Sequence, residues 1–205
     1  ARRNGSKEIV DHTINKRGLY VLGPEGGEPM GKYSPSRPNM SVADRTSEIR
    51  EFAQKVARNL KTPEAIGAYI ATVFSREYKY QDSSNRTVRW TSDTGGQDVQ
   101  HPYKTLERGA GDCEDFALLA KELLRLAGIE SVVMLQSSVH YICAFLEKHP
   151  PDEYKLCYID TGGFKRVTET FASPAEAMKH PWGRSGSGAK WLLSVRPRYE
   201  PYYTD

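Results

Sequence analysis

Apolar residues recur at three- and four-residue steps in three stretches, and that spacing predicts three helices. Over 46–60, Ile49, Phe52, Ala53, Val56, Ala57 and Leu60 share one face. Thr62-Pro63 is a capping residue followed by proline at a first helical position, and it opens a second helix with the stripe Ile66, Tyr69, Ile70, Val73 and Phe74. The third helix follows Gly109-Ala110-Gly111-Asp112; Phe116, Leu119, Ala120, Leu123, Leu124 and Ala127 repeat along it until Gly128 stops it. Stripes of this kind are core faces. The pattern then changes: 131–136 predicts a buried strand, and 139–146 and 154–160 predict two more, joined by a polar loop with His149-Pro150-Pro151-Asp152. Ser173-Pro174 opens a short helix to about 179, a Gly/Ser loop covers 181–189, and 190–195 predicts a last strand.

The flanks are less patterned. Gly18–Leu22 predicts a short strand, followed by two turn-rich runs at 23–29 and 34–38. Residues 1–40 are therefore expected to form an irregular arm, and 41–205 one domain. Between the second and third helices lies a polar stretch, 78–101, with turns on either side of Thr87-Val88-Arg89-Trp90. No internal repeat is visible.

Composition narrows the classes. Hydrophobic residues make up 38% of the chain, enough for a core, and no run approaches the ~20 apolar residues of a membrane span. The 29 basic and 26 acidic residues are mixed, giving +3, so nucleic acid is not an expected partner. Three cysteines are too few for a disulfide scaffold and lack metal-ligand spacing.

One of them has a distinctive place. Asp112 is an N-cap residue type, and Glu114 and Asp115 suit the positive end of a helix dipole. Cys113 then falls in the first turn of the third helix, where free N–H groups favour a thiolate. The three neighbouring carboxylates oppose this, so a base must come from elsewhere; His140 is the natural one, with Asp160 to orient it. A lone buried cysteine is ordinarily just a small apolar residue. The glycines ahead of Cys113 and the His and Asp downstream favour a nucleophile.

The run Gly111-Asp112-Cys113-Glu114-Asp115-Phe116-Ala117, followed by Leu-Leu and Ala-Gly-Ile, resembles the Cys box of the transglutaminase-like superfamily. In that family a strand with His and a strand ending in Asp follow; Val139-His140-Tyr141-Ile142 and Tyr158-Ile159-Asp160-Thr161 stand in that order here. The similarity spans about residues 45 to 170. It implies an α+β, papain-like fold in which a Cys-bearing helix packs on an antiparallel sheet carrying His and Asp. It also implies thioester chemistry by a Cys113, His140 and Asp160 triad. Hydrolysis of an amide or isopeptide bond in a protein or peptide substrate is the favoured outcome, by analogy. Transfer to an amine, as in a protein-glutamine transglutaminase, is one alternative; a non-catalytic binding module is another. The family further implies a second oxyanion donor from the segment ahead of the box, where Trp90, Gln97 and Gln100 carry donors and the sequence does not choose. An extracytoplasmic location is slightly favoured on family grounds.

Some relatives hold calcium beside the nucleophile with acids flanking the Cys. Asp112 and Asp115 stand at such positions, but the Asn those relatives place three residues after the His is Cys143 here, a poor ligand for a hard cation. Helix capping is the preferred reading of both acids, and no cofactor is expected.

If 139–146 and 154–160 form a hairpin with His140 opposite Asp160, then Cys143 faces Cys157. Alternation along the strand turns His140, Ile142 and Ala144 toward the Cys113 helix and Tyr141, Cys143 and Phe145 away. The pair Cys143 and Cys157 is expected to be remote from Cys113, as two free buried thiols or, in the alternative, a cross-strand disulfide. His12, His149 and His180 are expected in solvent, and His101 lies on the approach to the Cys box.

Overall fold

The computed structural model describes residues 14–15, 18–19, 30–76, 99–129, 133–136, 140–150, 152–177 and 192–193. Two short strands, β1 (Ile14–Asn15) and β2 (Gly18–Leu19), pair antiparallel. Helix α1 (Val42–Leu60) starts at Ser41, whose hydroxyl accepts from the Asp44 N–H, and buries Ile49, Ala53, Val56, Ala57 and Leu60. Helix α2 (Pro63–Val73) starts at Thr62, whose hydroxyl accepts from Ala65 N–H at 3.2 Å. Its predicted stripe is buried. Tyr69 reaches out of that core to donate to the Gly31 carbonyl, while Met30 and Tyr33 pack into it.

Strand β3 (Ser75–Arg76) pairs in parallel with β4 (Ala110–Gly111). Between them lies α3 (Pro102–Arg108), a helix the apolar periodicity does not announce. Its signals are at its ends instead: His101 accepts from Tyr103 N–H through Nδ1, proline opens it, and Gly109 closes it. Seven residues are too few for a stripe to register. Helix α4 (Cys113–Leu126) follows, with Phe116, Leu119, Ala120, Leu123 and Leu124 buried.

Five strands make the main sheet: β5 (Val133–Gln136), β6 (Tyr141–His149), β7 (Glu153–Asp160), β8 (Gly163–Phe171) and β9 (Leu192–Leu193). Their order is β8-β7-β6-β5-β9, with every pair antiparallel. The short helix α5 (Pro174–Ala177) follows β8. Helices and antiparallel sheet together make the α+β class of the transglutaminase-like fold.

The hairpin of β6 and β7 corrects the expected register and the expected faces. Cys143 pairs with Ile159 and Phe145 with Cys157, a displacement of two residues from a Cys143–Cys157 pairing. The cause is the connection. Glu147, Lys148 and His149 continue the ladder, and its last pair, His149 with Glu153, sets the register. The faces are also exchanged. Tyr141, Cys143, Phe145, Cys157 and Ile159 join the core under α1, α2 and α4, whereas Ile142 and Ala144 pack with Leu156, Phe171 and Ala177 on the other side. The strand begins at Tyr141, so His140 precedes the pleat and its parity does not propagate into β6. Cys143 and Cys157 thus share a core with Cys113; all three are free and buried.

Strand β8 was not expected at all. Its sequence, Gly163-Phe164-Lys165-Arg166-Val167-Thr168-Glu169-Thr170-Phe171, is too polar to read as a core strand, because it forms an edge of the sheet and is largely half-buried or exposed. The expected helix to about 179 ends in the description at Ala177, and the expected strand 190–195 is described at Leu192–Leu193.

Candidate active site

Helix α4 starts where it does because of one carboxylate. Asp112, in extended conformation, is its N-cap, and Asp115 folds back so that Oδ2 accepts from Asp112 N–H at 3.2 Å. Asp115 also accepts the Gln100 backbone N–H on Oδ1 at 2.8 Å and the Gln100 side-chain amide on Oδ2. The Gln100 amide donates in addition to the Ala110 carbonyl, and its oxygen accepts from Arg108. The approach segment is thereby stitched to the first turn of the helix. Glycine at 111 permits this: a Cβ there would lie 2.8 Å from both Cβ and Oδ2 of Asp115. Burial pushes the Asp115 carboxyl up, and the charge of Glu114 adds to it; the donors from Gln100 and Asp112 act the other way.

Cys113 is the first residue of α4, so its N–H has no acceptor within the helix. The side chain is 4% exposed. Its thiol donates to Glu114 Oε2 at 3.0 Å, and the sulfur receives the backbone N–H of Tyr141. Burial first, then the charges of Glu114 and Asp112, drive the thiol well above its ordinary range; the Tyr141 N–H opposes them. Burial and the Glu114 contact thus both favour the protonated thiol.

His140 is the residue before Tyr141, which sets it beside the same sulfur along the chain. Its side chain is 31% exposed, and Nε2 stands 3.8 Å from Asp160 Oδ2. Asp160 ends β7 and is buried. Its Oδ1 accepts from Gly162 N–H at 2.7 Å, and its Oδ2 accepts from Lys165 Nζ at 2.8 Å. Burial alone would raise this carboxyl, but His140, Lys165 and the Gly162 N–H overcome it and hold the value at about 2.

The fold thus brings the Tyr141 N–H to the Cys113 sulfur and the His140 ring to Asp160. Two neighbours were not foreseen as part of this place: Glu114, read only as a helix-dipole acid, and Lys165, on the unpredicted edge strand. The single hint of Lys165 in the sequence was its position five residues after Asp160 across Gly162-Gly163, a natural hairpin turn. Of the suggested oxyanion donors, Gln100 is excluded, because both hydrogens of its amide are already donated to Asp115 and Ala110. Trp90 and Gln97 lie outside the described residues, as do His12 and His180. His101 caps α3, and burial holds its pKa down; His149 Nε2 stands 3.5 Å from Glu147 rather than in open solvent.

Asp115 does not fit calcium. Both Asp115 oxygens are taken by N–H donors, and Cys143, at the position of the third ligand, is buried in the core. Among the described residues no group of three or more His, Cys, Asp and Glu is placed to hold a metal ion, and no helix is long and apolar enough to cross a membrane.

Comparison with protein families matches residues 50–143 to the core of the transglutaminase-like superfamily. The match runs from α1 into β6, so Cys113 and His140 lie inside it and Asp160 lies beyond it. Among curated proteins none matches the chain.

Proposed function

From a chain that carries a transglutaminase-like domain, of a superfamily that includes cysteine-dependent enzymes, we propose an acyl-transfer enzyme that cleaves an amide or isopeptide bond in a protein or peptide. The observation that supports it most is the contact of the Cys113 sulfur with Tyr141 N–H, one residue from a histidine whose Nε2 is turned to a buried, ionised Asp160. With Nε2 toward Asp160, Nδ1 is the ring nitrogen left to act as base. The thiol leaves Glu114 and gives its proton to His140 Nδ1 as the sulfur attacks the substrate carbonyl carbon. The oxyanion that forms is held by the Cys113 N–H, which α4 leaves without an internal acceptor. His140 then delivers the proton to the departing amine, and a thioester remains on Cys113. Water, deprotonated by His140, attacks the thioester and releases the acid and the thiol.

A non-catalytic module with this fold is the second reading, favoured by one observation: the buried thiol is paired with Glu114 and strongly disposed to stay protonated.

Both readings are tested by incubating the wild type, Cys113→Ala and His140→Ala with denatured casein and a labelled primary amine. Iodoacetamide labelling of each cysteine is followed in parallel by peptide mass spectrometry. The expected result is new N-termini from the wild type, none from Cys113→Ala, and at least a ~100-fold loss in His140→Ala. Labelled amine on glutamine with release of ammonia would instead assign amine transfer. No product, with Cys113 labelled no faster than the core thiol Cys143, would establish the binding module.

A further inference from the structure

The same oxygen of Asp160 faces two nitrogens. Lys165 Nζ lies 2.8 Å from Oδ2, and His140 Nε2 lies 3.8 Å from it. Oδ1 is already engaged by Gly162 N–H at 2.7 Å. The carboxylate thus has a hydrogen bond on each oxygen, and the imidazole stands just outside hydrogen-bond range of the one it shares with lysine. The arrangement is built by the β7–β8 hairpin. Asp160 pairs with Gly163, Tyr158 pairs with Lys165, and Lys165 reaches diagonally along the ladder to Asp160. Its ammonium lies 5.6 Å from the centre of the Tyr158 ring, which steadies the reach. A Cβ on Gly162 would come within 3.1 Å of Oδ1 and 3.4 Å of Nζ, so a larger residue in the turn would press on both contacts.

We propose that Lys165 is a positioning residue that competes with His140 for Oδ2 of Asp160 and so sets how tightly the imidazole is held. The proposal rests on the triad reading above and deepens it. An Asp–His contact can be too weak to fix the ring or strong enough to lock it, and Lys165 adjusts it by occupying the shared oxygen. The ammonium also keeps Asp160 ionised when His140 carries no charge, so the orienting group is ready before the thiol gives up its proton. The other charged groups near this end of the sheet are engaged elsewhere. Glu114 and Asp112 act on Cys113, and Arg166, next along β8, pairs with Glu147 and Glu64. Lys165 is 40% exposed, so replacing it does not open the core.

The test needs no substrate. Protein labelled with ¹⁵N-histidine is examined by NMR for the Nε2–H of His140, assigned by its loss in His140→Gln. Lys165→Met is expected to move that proton downfield and slow its exchange with solvent at least fivefold, because the imidazole closes onto Oδ2. Lys165→Arg, which keeps charge and donors, is expected to resemble the wild type. In an Asp160→Asn background the Lys165→Met effect is expected to vanish. An unchanged signal in Lys165→Met, or the same change with and without the Asp160 carboxylate, would overturn the proposal. Cys113 alkylation is measured on the same samples. If the NMR response is present while Cys113 remains as inert as Cys143 in every variant, Lys165 positions His140 as proposed and it is the enzymatic reading that fails.

Discussion

Asp115 and Asp160 are equally buried, at 5% and 6% exposure, and each accepts three donors or close cations, yet their carboxyls are driven in opposite directions. Asp115 meets only neutral donors, the two N–H groups of Gln100 and that of Asp112, with the negative Glu114 beside it. Burial wins there and the carboxyl rises. Asp160 meets one neutral donor, an ammonium and an imidazole, and it is held at about 2. Neutral hydrogen bonds satisfy a buried carboxylate; a nearby full positive charge is what keeps it ionised. The two aspartates therefore do different work. Asp115 fastens the approach segment to the helix that presents Cys113, and Asp160 is a fixed negative charge facing His140.

The largest expected effect comes from breaking the first. Asp115→Ala leaves two buried N–H groups of Gln100 and the half-buried one of Asp112 without their acceptor, each buried one a loss of about 1–3 kcal/mol. With water recovering part of this, urea unfolding at neutral pH is expected to show a loss of about 4 kcal/mol. Since Gln100 would then be released, the fastening role fails if the variant unfolds at the wild-type midpoint.

The second effect is the sign of the acid response. A carboxyl lowered in the folded state stabilises it at pH values above the unfolded value. That contribution is lost as pH falls through the folded one. For Asp160 the window is therefore from about 4 down to about 2, and the contribution is on the order of 2 kcal/mol. Asp115, raised on folding, has the opposite sign: its contribution grows as pH falls through its folded value. Thermal unfolding followed across pH 2 to 5 is expected to show a steep loss in the wild type and a flatter profile in Asp160→Asn. If Asp160→Asn keeps the full acid loss, the charge on Asp160 is not what the fold is protecting.

Much of this was legible in the residues. The stripes of α1, α2 and α4 recur at helical spacing because each turns an apolar face to one core, α2 and α4 against the sheet and α1 against α4, and the caps Thr62 and Asp112 mark the starts of the last two. The place of Cys113 at the start of α4 was legible through the motif. What escaped is local in cause. The edge strand β8 shows solvent too many polar side chains to stand out, so Lys165 could not be placed. The register of β6 and β7 followed from the pair His149 and Glu153 that ends the ladder, and the strand faces from His140 lying just outside the pleat. The raised pKa of the Cys113 thiol comes first from burial and then from where the Glu114 side chain folds, neither of which helix position alone fixes.

The smallest effect sharpens the comparison most finely, because a glycine abuts each carboxylate. A Cβ at Gly111 would stand 2.8 Å from Asp115 Cβ, an atom close to the backbone that cannot swing away, whereas a Cβ at Gly162 would stand 3.1 Å from Asp160 Oδ1 and 3.4 Å from the flexible end of Lys165. Overpacking of this kind costs about 1–3 kcal/mol, more where the neighbour is rigid. Gly111→Ala is therefore expected to lose about 2 kcal/mol and Gly162→Ala about 1 kcal/mol in the same urea assay. The Gly162 loss should shrink at pH 2, where Asp160 is about half protonated and its contacts are weakened, while the Gly111 loss persists because it is steric. Equal losses with equal pH dependence would mean that both glycines serve the backbone alone, and that the carboxylates beside them do not distinguish the two ends of the site.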